Sequence, residues 1–263
     1  MIVVCAASGA LGRLVVEELA KTGHQVVAAV RDPGRAVAGV EVRHGDYDDP
    51  ASLRSALRGA ERVLLISSPE LAADRRVRQH RAVIEAATTN GVRAIAYTSF
   101  LGADRGGDGM NAAHHETERA VVESGIGYTL LRHPFYTDAF VNAGLAAVVA
   151  AGRLESATGG RGLNTALRAD LAAAAATVLT SDDHLGRGYD LTGPLWTYPE
   201  LAALLSEVSG KPVEYQEAEV GGGMGFLMGL AKAGALERQT DDLGGLLGRP
   251  PTSLRTAVER ALR

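Results

Sequence analysis

The stretch MIVVCAASGALGRLVVEELAKTGHQVVAAVRDP, residues 1–33, decides the fold. A β-branched run at Ile2-Val3-Val4 leads into AASGALG, Ala6 to Gly12. Apolar residues then recur at Leu11, Val15, Val16 and Leu19, a helical spacing, and a second β-branched run follows near 25–30. A glycine turn that leaves the first strand and opens the first helix, inside a strand–helix–strand unit of about thirty residues, is the setting of a dinucleotide fingerprint. Gly9 lets the backbone approach a pyrophosphate, Gly12 lets helix and strand pack closely, and the N–H groups of the helix start face the anion. Ser8 adds a hydroxyl, and Leu11 completes the candidate set of the turn. Ala6 stands where a Gly-x-x-Gly-x-x-Gly loop carries its first glycine. Alanine suits that turn only if its φ stays below zero, so Ala6 is expected to cost some cofactor affinity.

Working outward, short strands near 2–6, 25–30, 40–44, 62–66, 93–98 and 126–131 alternate with helical patterns such as Leu11–Thr22, Arg75–Thr89 and Asn111–Ser124. That alternation predicts an α/β fold with a Rossmann-like, doubly wound parallel sheet and a small C-terminal α/β lobe. Residues 1–133 form the expected NADP-binding core, with a return segment near 165–192, and residues 134–263 the smaller substrate-binding lobe. In the lobe, Thr197 or Tyr198-Pro199 starts a clear helix that Gly210 ends. Gly221 to Gly223 and Gly244-Gly245 read as loose connections around a lid.

Ligands of open parallel sheets lie beyond the carboxyl ends of the strands, which makes those ends the candidate site. After the second strand, where an acid would receive a ribose 2′-hydroxyl, stands Arg31. Its fork of donors matches a 2′-phosphate, with Arg35 as a second cation, so NADP is favoured over NAD. Asp46, at the end of the third strand, is the candidate to border the adenine. Ser67, Ser68 and Thr98 offer small hydroxyls near the nicotinamide ribose, and His133, Phe135 and Tyr136 a polar and aromatic wall. No tyrosine is followed four residues later by lysine, which disfavours an alcohol dehydrogenase mechanism with a tyrosine acid. Tyr128 and Arg132 share a strand face and are read as packing. The helix expected to carry the pair holds His114-His115; His114 is either a proton donor or a solvent-exposed helix-start histidine.

Composition narrows the classes. The chain of 263 residues has a net charge of −4 with no basic block, which argues against a nucleic-acid partner. The single Cys5 excludes an internal disulfide and suits a reducing cytoplasm. No signal peptide pattern opens the chain, and its small-apolar runs are about half the ~20 residues that span a bilayer. The sequence has neither Cys-x-x-Cys nor His-x-x-x-His spacing for a metal, nor a Gly-x-Ser-x-Gly elbow.

Read in order, AASGALG, VVAAVRDPGRA, GDYDDPASLRSALRGAERVLLISS, QHRAVIEAATTNGVRAIAYTS, HHETERAVVESGIGYTLLRHPFYTDAF and TALRADLAAAAATVL resemble the NmrA-like group of atypical short-chain dehydrogenases, in particular its type 2 NAD(P)H:quinone oxidoreductases. The resemblance runs almost end to end. It implies an NADPH-binding core with a small lobe and direct hydride transfer to a quinone between the two, without flavin or metal, in a monomer or homodimer. It would place Gly9, Gly12 and Arg31 on NADPH. It would place Phe100, Phe135 and Tyr136 around a flat aromatic substrate, with His114 or His133 bonding the developing oxyanion. Ala6, His133, Pro134 and Phe135 depart from the family's glycine, asparagine, glycine and tryptophan. Two other readings share the fold: a non-catalytic NADP-sensing regulator, and a polyketide-tailoring reductase.

Overall fold

A computed structural model describes residues 1–35, 39–106 and 109–263. In chain order the elements are β1 (Ile2–Cys5), α1 (Ala10–Ala20), β2 (Val26–Val30), β3 (Glu41–His44), α2 (Pro50–Ala56), β4 (Arg62–Leu65), α3 (Ala73–Thr89) and β5 (Ala94–Phe100). Then come α4 (Ala112–Glu123), β6 (Gly127–His133), β7 (Phe135–Tyr136), α5 (Leu145–Ala151), β8 (Arg153–Ser156), β9 (Leu163–Ala166), α6 (Arg168–Leu179) and β10 (Arg187–Asp190). The chain closes with β11 (Leu195–Trp196), α7 (Tyr198–Ser209), β12 (Glu214–Glu217), α8 (Gly222–Lys232), α9 (Asp242–Leu247) and α10 (Leu254–Ala261). They divide into two compact units, Met1–His133 with Arg168–Leu191, and Pro134–Leu167 with Thr192–Arg263.

The first unit is built on a seven-stranded parallel sheet in the order β10-β6-β5-β4-β1-β2-β3. Both faces are covered, so β1, β2 and β4 are buried at every residue, and β1 and β2 read as unbroken apolar runs rather than alternating ones. Leu53 and Leu57 of the α2 region, Val83 and Ile84 of α3 and Val121 of α4 pack with Val3, Val27, Val63 and Ile95 on one face. Helix α6 packs against α1, its run of alanines letting the two axes approach closely. Strand β1 pairs β2 on one side and β4 on the other, so the strand order reverses beside it. The turn after β1 therefore sits at the switch point of the sheet.

The second unit has a three-stranded sheet in the order β11-β9-β7 and a parallel pair, β8 with β12. Its core gathers Leu163, Trp196, Leu201, Leu205 and Met228. Thr197 caps α7 in a capping box with Glu200, and Pro199 lies in the first turn. The glycine runs are a correction. Gly221 caps α8 and Gly222 and Gly223 lie in its first turn, while Gly244 and Gly245 lie inside α9; neither run is a loose connection. Glycine's weak helix propensity is overridden here because the helices bury Met228 and Ala231, and Leu243 and Leu246. Among the described residues, no helix is long and apolar enough to cross a membrane.

Candidate active site

The glycine turn is tight for reasons visible atom by atom. Ala7 N donates to Ala29 O across the sheet, and Gly9 N donates back to Ala6 O over 3.0 Å, which brings the chain round into α1. A Cβ on Gly12 would lie 2.7 Å from both Ala6 O and Ala7 Cα, so no side chain fits while the helix leans on the loop. Gly9 caps α1 with no side-chain bond, leaving the first helical N–H groups to an anion. Ala6 overturns the expectation of a negative φ: it has φ +53, the sole positive value at a non-glycine among the described residues. The tight turn needs the left-handed conformation that glycine takes freely and alanine takes under strain. Leu11 is buried and Ser8 half-buried.

Arg31 and Arg35 are both exposed, in the segment that follows β2. Between them and the glycine turn lies Arg13, a residue that the sequence reading missed. Its Nε donates to Ser8 O over 3.1 Å and its Nη2 to Arg35 O over 3.3 Å, so it ties the turn to the arginine segment. Its signal was its position directly after Gly12, on the first turn of the helix. Asp46 is half-buried in the turn after β3, where its Oδ1 accepts Asp48 N–H.

At the ends of β4 and β5 the hydroxyls of Thr98 and Ser68 are bound within the protein, while the buried Ser67 hydroxyl makes no hydrogen bond among the described residues. Thr98 Oγ1 accepts Ser67 N–H over 2.8 Å, and Ser68 Oγ donates to Gln79 Oε1. His114 is buried, which excludes the solvent-exposed reading. Its Nδ1 lies 2.9 Å from Tyr97 Oη, Arg76 approaches its Nε2 at 3.4 Å, and the Phe100 ring centre is 5.7 Å away. Burial, helped by the Arg76 charge, pulls its pKa down to about 4. His133 is deeper, and burial with the nearby His114 pulls it to about 3. Both imidazoles are therefore neutral near pH 7 and cannot act as imidazolium acids; Arg76 only donates, so His114 Nε2 accepts and its one N–H, at Nδ1, is held by Tyr97 Oη.

The face of α4 that carries His114 also carries Glu118, four residues on. Ser99 Oγ donates to Glu118 Oε1 over 2.6 Å, and Arg132 Nε and Nη2 donate to its two oxygens, each over 2.9 Å. Arg132 Nη1 also faces Asp190 and Asp104, at 3.5 and 3.6 Å. Arg132 is thus the centre of a buried ionic network rather than packing beside Tyr128. Phe135 and Tyr136 belong to the second unit, where they form β7, both half-buried. Cys5 is wholly buried, and burial pushes its thiol up to about 12, which makes it inert.

Against known proteins, the model of a family described as NAD(P)H-binding matches residues 6–182. The chain belongs to this family. It is 42% identical to quinone oxidoreductase 2 of Escherichia coli strain K12, over 98% of this chain and 97% of that one. Among solved structures it matches the Citrobacter sp. triphenylmethane reductase complexed with NADP(H), at 37% identity and TM-score 0.94 over 100% of both chains. It also matches the NADPH complex of the Escherichia coli NADPH-dependent quinone oxidoreductase, at 40% identity and TM-score 0.88, again over 100% of both. Matches of this length and identity place the chain with NAD(P)H-binding reductases that share its Rossmann-like core.

Proposed function

We propose that this chain is an NADPH-dependent reductase that passes hydride directly to a quinone. The observation that carries the reading is the 42% identity, along nearly the whole of both chains, to a quinone oxidoreductase. The fit of the dinucleotide rests on the cradle at Gly9 and Gly12, the second of which leaves no room for a Cβ.

In this reading the N-terminus of α1 holds the pyrophosphate, Ser8 and Leu11 border it, and Arg31 and Arg35 receive the 2′-phosphate. Asp46 lies toward the adenine, and Ser67, Ser68 and Thr98 shape the nicotinamide end. When bound, NADPH supplies the hydride. A quinone is already a strong acceptor, so the chain's own residues mainly orient it, exclude water and meet the charge that grows on its oxygen. Phe100, whose ring packs beside His114, receives the flat ring. Neutral His133 offers an N–H to the oxyanion, and the proton that completes the hydroquinone comes from solvent. A lone cysteine, with no second one to pair with, suits the reducing cytoplasm.

The test is loss of NADPH absorbance in purified, flavin-free protein given benzoquinones and naphthoquinones, with NADH as the paired control. Turnover that prefers NADPH supports the reading. Tight NADPH binding without oxidation replaces it with an NADP-sensing role.

A further inference from the structure

His80, on α3, has no part in the chemistry above, yet it is fully buried between two segments that do. Ser68 N–H donates to its Nε2 over 2.9 Å, and its Nδ1 lies 2.9 Å from Thr117 Oγ1 on α4. Thr117 in turn donates its hydroxyl proton to Ala113 O over 2.7 Å. Counting protons fixes the ring. A backbone N–H only donates, so Nε2 is the bare nitrogen; the one Thr117 proton is already engaged, so Nδ1 carries the hydrogen and donates it. His80 is therefore a neutral imidazole in a single tautomer, and burial, with His114 and Arg76 nearby, pulls its pKa to about 3, in keeping with that form.

The geometry gives this ring two attachments. Ser68 follows β4, next to Ser67, whose own N–H is held by Thr98. Thr117 is three residues from His114 on the buried face of α4. The ring edge packs on Tyr97, centres 5.4 Å apart, and Tyr97 Oη is the partner of His114 Nδ1. Gln79, beside His80, holds the Ser68 hydroxyl, so the strand-end loop is fixed to α3 by main chain and side chain together.

We propose that His80 is a positioning residue, a one-tautomer bridge that sets the spacing between the Ser67-Ser68 loop and the His114 turn of α4 before cofactor arrives. The proposal rests on the cofactor reading above, in which that loop shapes the nicotinamide end.

The experiment compares Thr117→Val, which keeps volume and removes the acceptor, with Thr117→Ser, which restores it. His80→Gln joins them, since its single amide both accepts and donates. Two readouts are taken on the full chain: imidazole nitrogen NMR of the protein alone, and the dissociation constant for NADPH. The expected results are an Nδ1–H tautomer for His80 in the parent and roughly tenfold weaker NADPH binding in Thr117→Val. Thr117→Ser and His80→Gln are expected within about twofold of the parent, on the same scale of one hydrogen bond. An Nε2–H tautomer in the parent overturns the bridge. So does a folded Thr117→Val protein that binds NADPH as the parent does, whatever its stability, because a purely structural role predicts that. If the parent itself binds no NADPH, the cofactor reading fails separately, and the bridge is judged by whether Thr117→Val shifts the Ser67 and Ser68 amide resonances.

Discussion

Arg132 holds Glu118 with two parallel hydrogen bonds, each 2.9 Å long, across the ends of β6 and α4. The side chains are 14% and 8% exposed, so the pair is shielded from water, and removing one partner leaves a buried charge. Glu118→Ala is expected to destabilise the fold by about 3 kcal/mol, the low end of the range for such pairs, because Asp190 and Asp104 still face Arg132. Urea unfolding checks it. A midpoint equal to the parent's would mean that the network adds nothing.

Ala6 predicts the opposite sign. Its φ of +53 strains an L-residue by about 1–2 kcal/mol, while glycine adds chain entropy to the unfolded state. Ala6→Gly is therefore expected to gain about 0.5–1 kcal/mol of stability and to tighten NADPH binding. Thermal unfolding and a binding titration measure the two. Binding no tighter than the parent's would show that the strain does not reach the cofactor.

Acid sensitivity follows from three buried histidines. In the fold His80 and His133 titrate at about 3 and His114 at about 4, below the ordinary 6.5. As pH falls below 6.5 the unfolded chain takes up protons that the fold refuses. Their stabilisation is thus complete above that pH and declines toward pH 4, by about 1.4 kcal/mol per pH unit for each histidine. Urea midpoints at pH 7.5 and 5.5 should differ, and His80→Gln should remove about a third of the histidine slope. Equal midpoints at the two pH values would contradict the burial of these rings.

Much of this architecture was legible before any coordinates. Ile2–Cys5 and Val26–Val30 are apolar at every position because both sheet faces are covered, and the glycine turn between them announces itself by its spacing. What local patterns could not carry was long-range partnership. The burial of His114 depends on Tyr97 and Arg76, and the role of Arg132 on Glu118 and Asp190, contacts between separate elements. The sign of φ at Ala6 was hidden for another reason. The motif specifies a turn, while its exact dihedral comes from the Gly9 N–H reaching back to Ala6 O. The glycines of α8 misled because propensity is local and the burial of Met228 is not.

Cofactor choice rests on the segment after β2. Arg31→Ala should weaken NADPH binding by roughly 10–100-fold, the range of one or two charge-assisted hydrogen bonds, and leave NADH binding nearly unchanged. Arg13→Met should lower the same ratio less, because Arg13 acts through Ser8 and Arg35 carbonyls. Paired titrations with the two dinucleotides decide it, and equal losses for both would assign the arginines to folding.

The most direct test of the account is a rapid-mixing experiment on flavin-free protein preloaded with NADPH, or with NADPH deuterated at the transferred position, and then given a naphthoquinone. NADPH absorbance is expected to fall on mixing and to fall more slowly for the deuterated cofactor, the mark of direct hydride transfer. Bound NADPH that persists unoxidised in the presence of quinone would contradict it.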